Sequence, residues 1–571
     1  MQALNAFFDD LHRHLTRDPH RRLLVGLLDG LGGLPDPSMA AEQARLAEAE
    51  RLLGVLDGLQ ADGQACSADA RLDLDLARLL LEQQIFLATV PFNGGTLAEQ
   101  RPDGGGLVGD GVFLLFIADP RPLDARLHDI TARLEATPAF LEGMLARLTR
   151  PVARWAAVEL ESVEGLPDLF ATVEAAAADY PGLERLKAAR VAAEAALADY
   201  ARRLAALPTV PTFSIGREAT ERLLRLKGLE RDADGLKALA TRFLADIDVT
   251  LEALRERLVA RYDLPSDASV ADVHTFLNKH FAVQIRPGQL NDVLIHYQRE
   301  RSNILNFIRE RDLFPVPDDQ DMLLMRTPAF MAPTIPAGAM MGPPPFRAGV
   351  ATSQVYLTLS EELLDEHTAL GIPMMMVHEG IPGHHLQLTH AARNPSIVRR
   401  HFDALDLNEG WTTMLEDYML DLGLLGDLTD EARFLAKRDI SRLGARVAID
   451  LFFMTGDKGF LDVGVETDLS SDDPFVAAGN LLQAVTGFTP GRVSSELSWY
   501  SIERGYPLSY LAGNEAVWAL KRDVAEASRG KLEGLALDRA FHKAFLEAGN
   551  MPVSFLRRAF AGVGLLPGAA A

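Results

Sequence analysis

The chain has 571 residues, of which 48% are hydrophobic and 24% charged, a balance typical of folded globular proteins that excludes a largely disordered chain. Its 57 Lys and Arg residues against 80 Asp and Glu give a net charge of −23, which disfavours nucleic acid and anionic membranes as partners. The length also excludes a small binding module.

From the sequence we expect neither an export signal nor a membrane-spanning segment. Its first residues, MQALNAFFDDLHRHL, have scattered charges and lack the apolar stretch of a signal peptide. The longest uncharged run, 327–346, contains six prolines, which an ordinary membrane helix would not tolerate. The single cysteine, Cys66, cannot form an intramolecular disulfide. We therefore expect a cytoplasmic protein.

Helical periodicity dominates the chain from its start. Up to Leu207, apolar residues recur at spacings of three and four, most clearly in LERLKAARVAAEAALADYARRLAAL, with one break at the glycine-rich RPDGGGLVGDG. The proline-bearing PTVPTFSIG follows, and helical patterns then resume, as in DGLKALATRFLADIDVTLEALRERLVARY. The pattern predicts a mainly α fold with two helical lobes, residues 1–207 and 208–571.

Prolines mark a change in structure after these helices. Eight of the 31 prolines lie between Pro315 and Pro345, which predicts an extended irregular loop. Such a loop can be a surface excursion or one wall of a binding cleft, and its Met and Phe residues favour the wall. The segment SQVYLTL, around Tyr356, predicts a short strand.

Histidines cluster in the helical segment PMMMVHEGIPGHHLQLTH. Four of the fourteen histidines lie within thirteen residues: His378, His384, His385 and His390. Imidazoles at short spacing beside a carboxylate, here Glu379, are the usual means of holding zinc with a base next to its water. We interpret His390 as an ordinary histidine outside the motif.

The spacing of these histidines requires a bend in the helix. In the zinc motif HExxH the second histidine stands four residues after the first, a position that Pro382 occupies here. In an unbroken helix His384 would point away from His378. Because Pro382 lacks a backbone donor and Gly383 tolerates strained torsions, we predict that the helix is interrupted and that the two histidines meet. His385 is the less favoured second ligand.

The segment HEGIPGHHLQ resembles the HExxPGHH signature of the bacterial domain-of-unknown-function family 885, many of whose members are described as metallopeptidases. Four further blocks are similar to the family in the same order: FSIGREATERLL, NEGWTTMLEDYML, RDISRLGARVAID and ELSWYSIERGYPLSYLAGNEA. They extend from about Phe213 to the C-terminus. The chain departs from the family where RGYPLSY, from Arg504 to Tyr510, replaces the common PGQALSY.

A more distant resemblance concerns the thimet oligopeptidase and neurolysin group of gluzincins, whose third zinc ligand is a glutamate 25 residues beyond the second histidine. Glu409 stands at that distance from His384, in the similar segment EGWTTMLE. The resemblance implies that His378, His384 and Glu409 bind Zn²⁺. It also implies a multi-helix, neurolysin-like architecture with few short strands and a deep cleft. Glu416 lies on the same helix face as Glu409 and can hydrogen-bond a ligating histidine.

These residues predict the chemistry of a hydrolase. Zinc with three protein ligands keeps a fourth position for water and lowers the pKa of that water to about 7. Glu379 then acts as general base and passes the proton to the leaving amine. The reacting oxygen needs a hydrogen-bond donor, for which the C-terminal block offers Tyr500, Tyr506 and Tyr510. We expect Tyr510 in this role, because it matches the tyrosine of the family's LSY.

One further charged pair stands in the segment RLGARVAID. Arg446 and Asp450 are four residues apart and can pair on one helix face. We expect a structural ion pair, with binding of a substrate carboxylate by Arg446 as the second interpretation.

The sequence therefore favours a zinc-dependent peptidase of the gluzincin type that cleaves short peptides in a cleft between two helical lobes. One alternative is a zinc amidase that acts on a modified amino acid or another small amide. Another alternative is an inactive descendant that serves as a binding or scaffold protein, although such a protein would not need Glu379.

Overall fold

The computed structural model describes residues 2–61, 67–327, 338–361, 364 and 367–568. The chain divides into two compact units, Met1–Ile215 with Pro344–Arg347 and Gly216–Pro343 with Ala348–Ala571. Helices dominate both units, which confirms the predicted mainly α fold. Cys66 lies outside the described residues. Within the described ranges, every helix is too short or too polar to span a bilayer.

The first unit contains helices α1 to α8. Their bounds are α1 Gln2–Leu15, α2 Pro19–Val25, α3 Met39–Ala61, α4 Ala68–Thr89, α5 Gly104–Ile117, α6 Leu123–Arg147, α7 Ala153–Ala176 and α8 Leu183–Ala205. Helix α8 follows the periodicity of its sequence, since it buries Leu186, Ala189, Ala193 and Leu197 at spacings of three and four. The amphipathic helices predicted for this half of the chain are therefore present.

The expected break at RPDGGGLVGDG is only partly correct, because the glycines begin α5. Their lack of side chains allows close packing, and a Cβ at Gly105 would lie 2.4 Å from the Val163 side chain. The start of α5 is capped from α7, where the Glu159 carboxylate accepts hydrogen bonds of 2.5 and 3.3 Å from the N–H groups of Gly105 and Gly106. The Glu159 carboxylate, which is distant along the chain, therefore caps the N-terminus of α5.

The second unit contains the remaining helices. Their bounds are α9 Arg217–Leu226, α10 Ala233–Tyr262, α11 Val270–His280, α12 Asp292–Arg311, α13 Gly371–Glu379, α14 His384–Ala392, α15 Ile397–His401, α16 Leu405–Asp421, α17 Thr429–Ile440, α18 Arg442–Thr455, α19 Pro474–Thr486, α20 Pro490–Ile502, α21 Ser509–Ala527, α22 Gly534–Glu547 and α23 Val553–Gly562. Helices α16 and α18 are buried along most of their length, as expected for the centre of a core.

A small sheet accompanies these helices. Its strands are β1 Gln320–Arg326, β2 Gly338–Met341 and β3 Ala351–Leu357, in the order β1-β3-β2. Strand β3 confirms the strand predicted at SQVYLTL. It pairs parallel with β1 and antiparallel with β2.

The predicted irregular loop between Pro315 and Pro345 is wrong where β1 and β2 form. The apolar segment of β1 has a full set of partners on β3, from Gln320 beside Ala351 to Arg326 beside Leu357. This pairing gives hydrogen-bond partners to the backbone of a segment that the proline count alone predicts to be irregular. Residues 328–337, which include three of the prolines, lie outside the described residues.

Candidate metal centre

The predicted interruption of the helix occurs at the Pro-Gly step between α13 and α14. Gly383 is required there, because a Cβ at this position would lie 1.9 Å from the carbonyl oxygen of His378. The indole Nε1 of Trp411 donates a hydrogen bond of 2.9 Å to the Pro382 carbonyl. Since Trp411 belongs to α16, this bond ties the bend to the helix that carries Glu409.

The bend brings three of the predicted side chains together. His378, His384 and Glu409 each offer a ligand atom, and these atoms all lie within 4.8 Å of one another. The Nε2 atoms of His378 and His384 lie 3.8 and 3.5 Å from Oε2 of Glu409. Two ligands of one tetrahedral zinc ion are roughly 3.3–3.5 Å apart, so the donor types fit this metal and the three side chains lie slightly further apart than in a zinc-bound site.

Glu409 provides a second test of this fit. Its Oε2 is buried and has no hydrogen-bond partner in the described part of the chain, which is costly for a carboxylate oxygen. Burial raises the pKa of Glu409, but the imidazoles of His384 and His378 outweigh burial and lower it below its ordinary value. The carboxylate is therefore charged, and a divalent cation would satisfy the unpaired oxygen.

The predicted partner of the first histidine is also in place. Oε1 of Glu416 lies 2.7 Å from Nδ1 of His378. Burial lowers the pKa of this imidazole, but the bond to Glu416 and the nearby carboxylates raise it to about 9. The contact occupies Nδ1 and turns Nε2 toward Glu409, which is the arrangement that metal-binding histidines need.

The neighbouring histidines serve other contacts. His385 is buried, with its Nδ1 2.7 Å from the Ser353 hydroxyl and its Nε2 2.6 Å from Oε1 of Gln320. Because both of its nitrogens are engaged on β1 and β3, His385 is not the second ligand of this set. The Nε2 of His390 lies 2.8 Å from the Pro315 carbonyl, in keeping with its interpretation as an ordinary histidine.

Glu379, the predicted base, is the last residue of α13 and is half-buried. Its charge contributes to the raised pKa of His378. Together with burial, it also raises the pKa of the Tyr297 phenol. The Glu379 side chain is therefore close enough to His378 and Tyr297 for its charge to act on both.

Gly410 and Gly513 allow Tyr506 and Tyr510, here called the tyrosine block, to approach the ligand set, which consists of His378, His384 and Glu409. A Cβ at Gly410 would lie 2.4 Å from the backbone of Gly513, so α16 and α21 approach as closely as backbones allow. The hydroxyl of Tyr506 donates to Oε1 of Glu409 at 3.3 Å. The Tyr510 ring lies 5.8 Å from the Tyr506 ring. Tyr506 therefore contacts a predicted ligand directly, and Tyr510 lies next to it.

Tyr500 and Arg446 are hydrogen-bonded to each other. Nε of Arg446 donates to the Tyr500 hydroxyl at 2.8 Å, and its Nη2 donates to Glu496 at 2.9 Å. Tyr500 is fully buried and donates to the same carboxylate at 2.5 Å. The Tyr500 hydroxyl is therefore engaged by Arg446 and Glu496. The predicted pairing of Arg446 with Asp450 is wrong, because buried partners from α20 compete better than a neighbour on the same helix.

Asp450 instead holds the turn before α21. Its carboxylate is fully buried and accepts the backbone N–H groups of Gly505 and Leu508, both at 3.1 Å. Burial raises its pKa to about 7, against the lowering effect of these two bonds. The turn carries Tyr506, so Asp450 has a positioning role that the sequence did not predict. Its signal in the sequence is only an acidic residue within the apolar run VAIDLFFM.

The comparison with known families matches residues 19–560 to the family described as "Bacterial protein of unknown function (DUF885)". The chain belongs to this bacterial family. The match includes every residue of the ligand set and the tyrosine block, and it confirms the family inferred from HEGIPGHH. The family description assigns no activity.

Solved structures share the fold. A protein from Shewanella oneidensis, described as a candidate lipoprotein of unknown function, is 19% identical with a TM-score of 0.75, and the alignment covers 98% of both chains. A candidate lipoprotein from Colwellia psychrerythraea is 14% identical with a TM-score of 0.75 over 99% of both chains. The comparison with curated proteins gives no match. At these identities the likeness concerns the fold alone.

Proposed function

We propose that this protein is a zinc-dependent hydrolase, with His378, His384 and Glu409 as the metal ligands and short peptides as substrates. The observation that carries the proposal is the buried, unpaired Oε2 of Glu409, which faces two imidazole Nε2 atoms. The hydrogen bond that Glu416 accepts from His378 supports it, because outer partners of this kind orient metal-binding histidines. The distant resemblance to gluzincin peptidases favours a peptide as substrate.

The remaining side chains have distinct tasks in this proposal. Zinc bound by the three ligands supplies a Lewis acid that lowers the pKa of water and polarises a carbonyl. Glu379 accepts the proton of the attacking water and delivers it to the leaving nitrogen. The Tyr510 hydroxyl donates to the carbonyl oxygen as it becomes negative, and the Tyr506 hydroxyl donates to Oε1 of Glu409. Burial raises the pKa of both phenols, so they remain protonated donors at neutral pH.

The proposal is tested by zinc content together with mass spectrometry of a defined peptide panel, incubated with and without a chelator. We expect Glu379→Gln to retain zinc and to lose turnover by roughly 10²–10⁴-fold, the contribution of a general base. His378→Ala and Glu409→Ala should lose the metal. His390→Ala is the matched control from the same histidine cluster and should retain both zinc and turnover.

Full turnover by the Glu379→Gln protein would defeat the assignment of the base. Zinc retained by both ligand variants would defeat the assignment of the metal centre. Cleavage of small amides without cleavage of any peptide would favour the amidase alternative.

A further inference from the structure

Three arginines gather beside the tyrosine block. Arg442 is the first residue of α18, Arg446 stands one turn further on the same face, and Arg492 belongs to α20. Two carboxylates accompany them: Glu496 lies 2.9 Å from Arg446 and 3.9 Å from Arg492, and Asp439 pairs with Arg442. Three positive charges against two negative ones leave an excess of one in a chain whose net charge is −23.

The cluster is continuous with the proposed metal centre. The Arg446 guanidinium lies 4.7 Å from the centre of the Tyr510 ring, and that ring packs against Tyr506, which contacts Glu409. Arg442 is one helical turn away and contributes to the electrostatic environment of Tyr510. Glu416, the partner of His378, contributes in the same way to that of Arg442. Arg442 is therefore close enough to Tyr510 and Glu416 for its charge to act on both.

The three arginines differ in how firmly they are held. Arg446 is buried, and its Nε and Nη2 are engaged by Tyr500 and Glu496. The Arg442 side chain is 19% exposed, and its ion-pair partner Asp439 is 59% exposed and only three residues away on the chain. Because the Asp439 carboxylate is largely exposed, water screens this pair, and an incoming anion can compete with Asp439 for Arg442.

Arg442 also stabilises the end of α17, because its Nη1 donates to the backbone carbonyl of Asp439 at 2.7 Å. The ion pair with the Asp439 carboxylate uses the same nitrogen. A guanidinium in this environment is suited to forked hydrogen bonding of a carboxylate.

We propose that Arg442 binds a carboxylate of the substrate, either the C-terminal one or that of an acidic side chain. This inference rests on the function proposed above and adds a substrate class to it. Arg446 and Glu496 keep their ion pair, and Asp439 is displaced when the substrate carboxylate binds Arg442.

The test uses three tetrapeptides of alanine: the free acid, the C-terminal amide, and the amide with one internal glutamate. Their binding is measured by calorimetry on the zinc-loaded Glu379→Gln protein, with and without Arg442→Gln. We expect at least one carboxylate-bearing peptide to bind roughly 10- to 100-fold tighter than the plain amide, as hydrogen bonds to a charged group allow. Arg442→Gln should remove this preference, and Arg442→Lys should keep part of it.

Arg433→Gln is the matched control. Its side chain is 21% exposed and pairs with Asp417 and Asp421, so its removal should leave the preference unchanged. Unchanged zinc content would show that the Arg442 variants still form the ligand set. Equal binding of all three peptides, or a preference that survives Arg442→Gln, would overturn the inference. Binding is read without turnover, so a failure of the hydrolase proposal, seen as no cleavage by the wild-type protein, is a separate result.

Discussion

The hydrogen bond between Glu416 and His378 offers a direct test of the metal centre. Glu416→Gln keeps an oxygen that can accept from Nδ1 but removes the negative charge. The bond is 2.7 Å long, and the two side chains are only 17% and 15% exposed. Removing such an outer partner costs about 10- to 100-fold in metal affinity, or about 1.4–2.7 kcal/mol. Because glutamine retains the acceptor, we expect the lower end for this variant and the upper end for Glu416→Ala.

The assay is competition for zinc against a chelator of known affinity, which requires no substrate. Asp417→Asn is the matched control, since this neighbouring carboxylate is 20% exposed and pairs with Arg433 and Lys437. It should leave zinc affinity within about twofold of the wild type, as expected for a charge outside the ligand shell. An unchanged affinity in Glu416→Ala, or an equal loss in Asp417→Asn, would refute the assignment of His378 as a ligand oriented by Glu416.

Two further perturbations probe the bend and the first unit. Gly383→Ala would place a Cβ 1.9 Å from the His378 carbonyl oxygen, so zinc content should fall sharply; Gly165→Ala, with no atom within 4 Å of its Cβ, should retain it. In the first unit, burial raises the pKa of Glu159 from 4.5 to about 7, against the lowering effect of its bond from Gly105. The stability that Glu159 contributes is therefore fully present below pH 4.5 and is lost as the pH rises through 7, a difference of about 3 kcal/mol. Urea denaturation from pH 4 to 8 should show this decline in the wild type but not in Glu159→Gln, and parallel profiles would contradict it.

Part of the candidate ligand set was accessible from local signals in the sequence. The spacing of His378 and His384 around a Pro-Gly step predicts an interrupted helix. Glu409 was expected from the resemblance to the oligopeptidase group, and the helical repeat then puts Glu416 on the same face. The structure brings these side chains together in the expected way. The amphipathic helices followed equally from periodicity, since burial of one face is a property of a short stretch of chain.

Other features depend on residues that are distant along the chain. Trp411 reaches Pro382 across 29 residues, and Asp450 reaches Gly505 across 55. The pairing of Arg446 with Glu496, the contact of Tyr506 with Glu409, and the strand β1 on β3 have the same origin. The type of a buried polar residue determines which hydrogen-bond or ion-pair partners it can have. Several residues of the chain usually meet that requirement. The packing of helices and strands selects among them, because buried polar groups must pair with whatever the fold brings within reach.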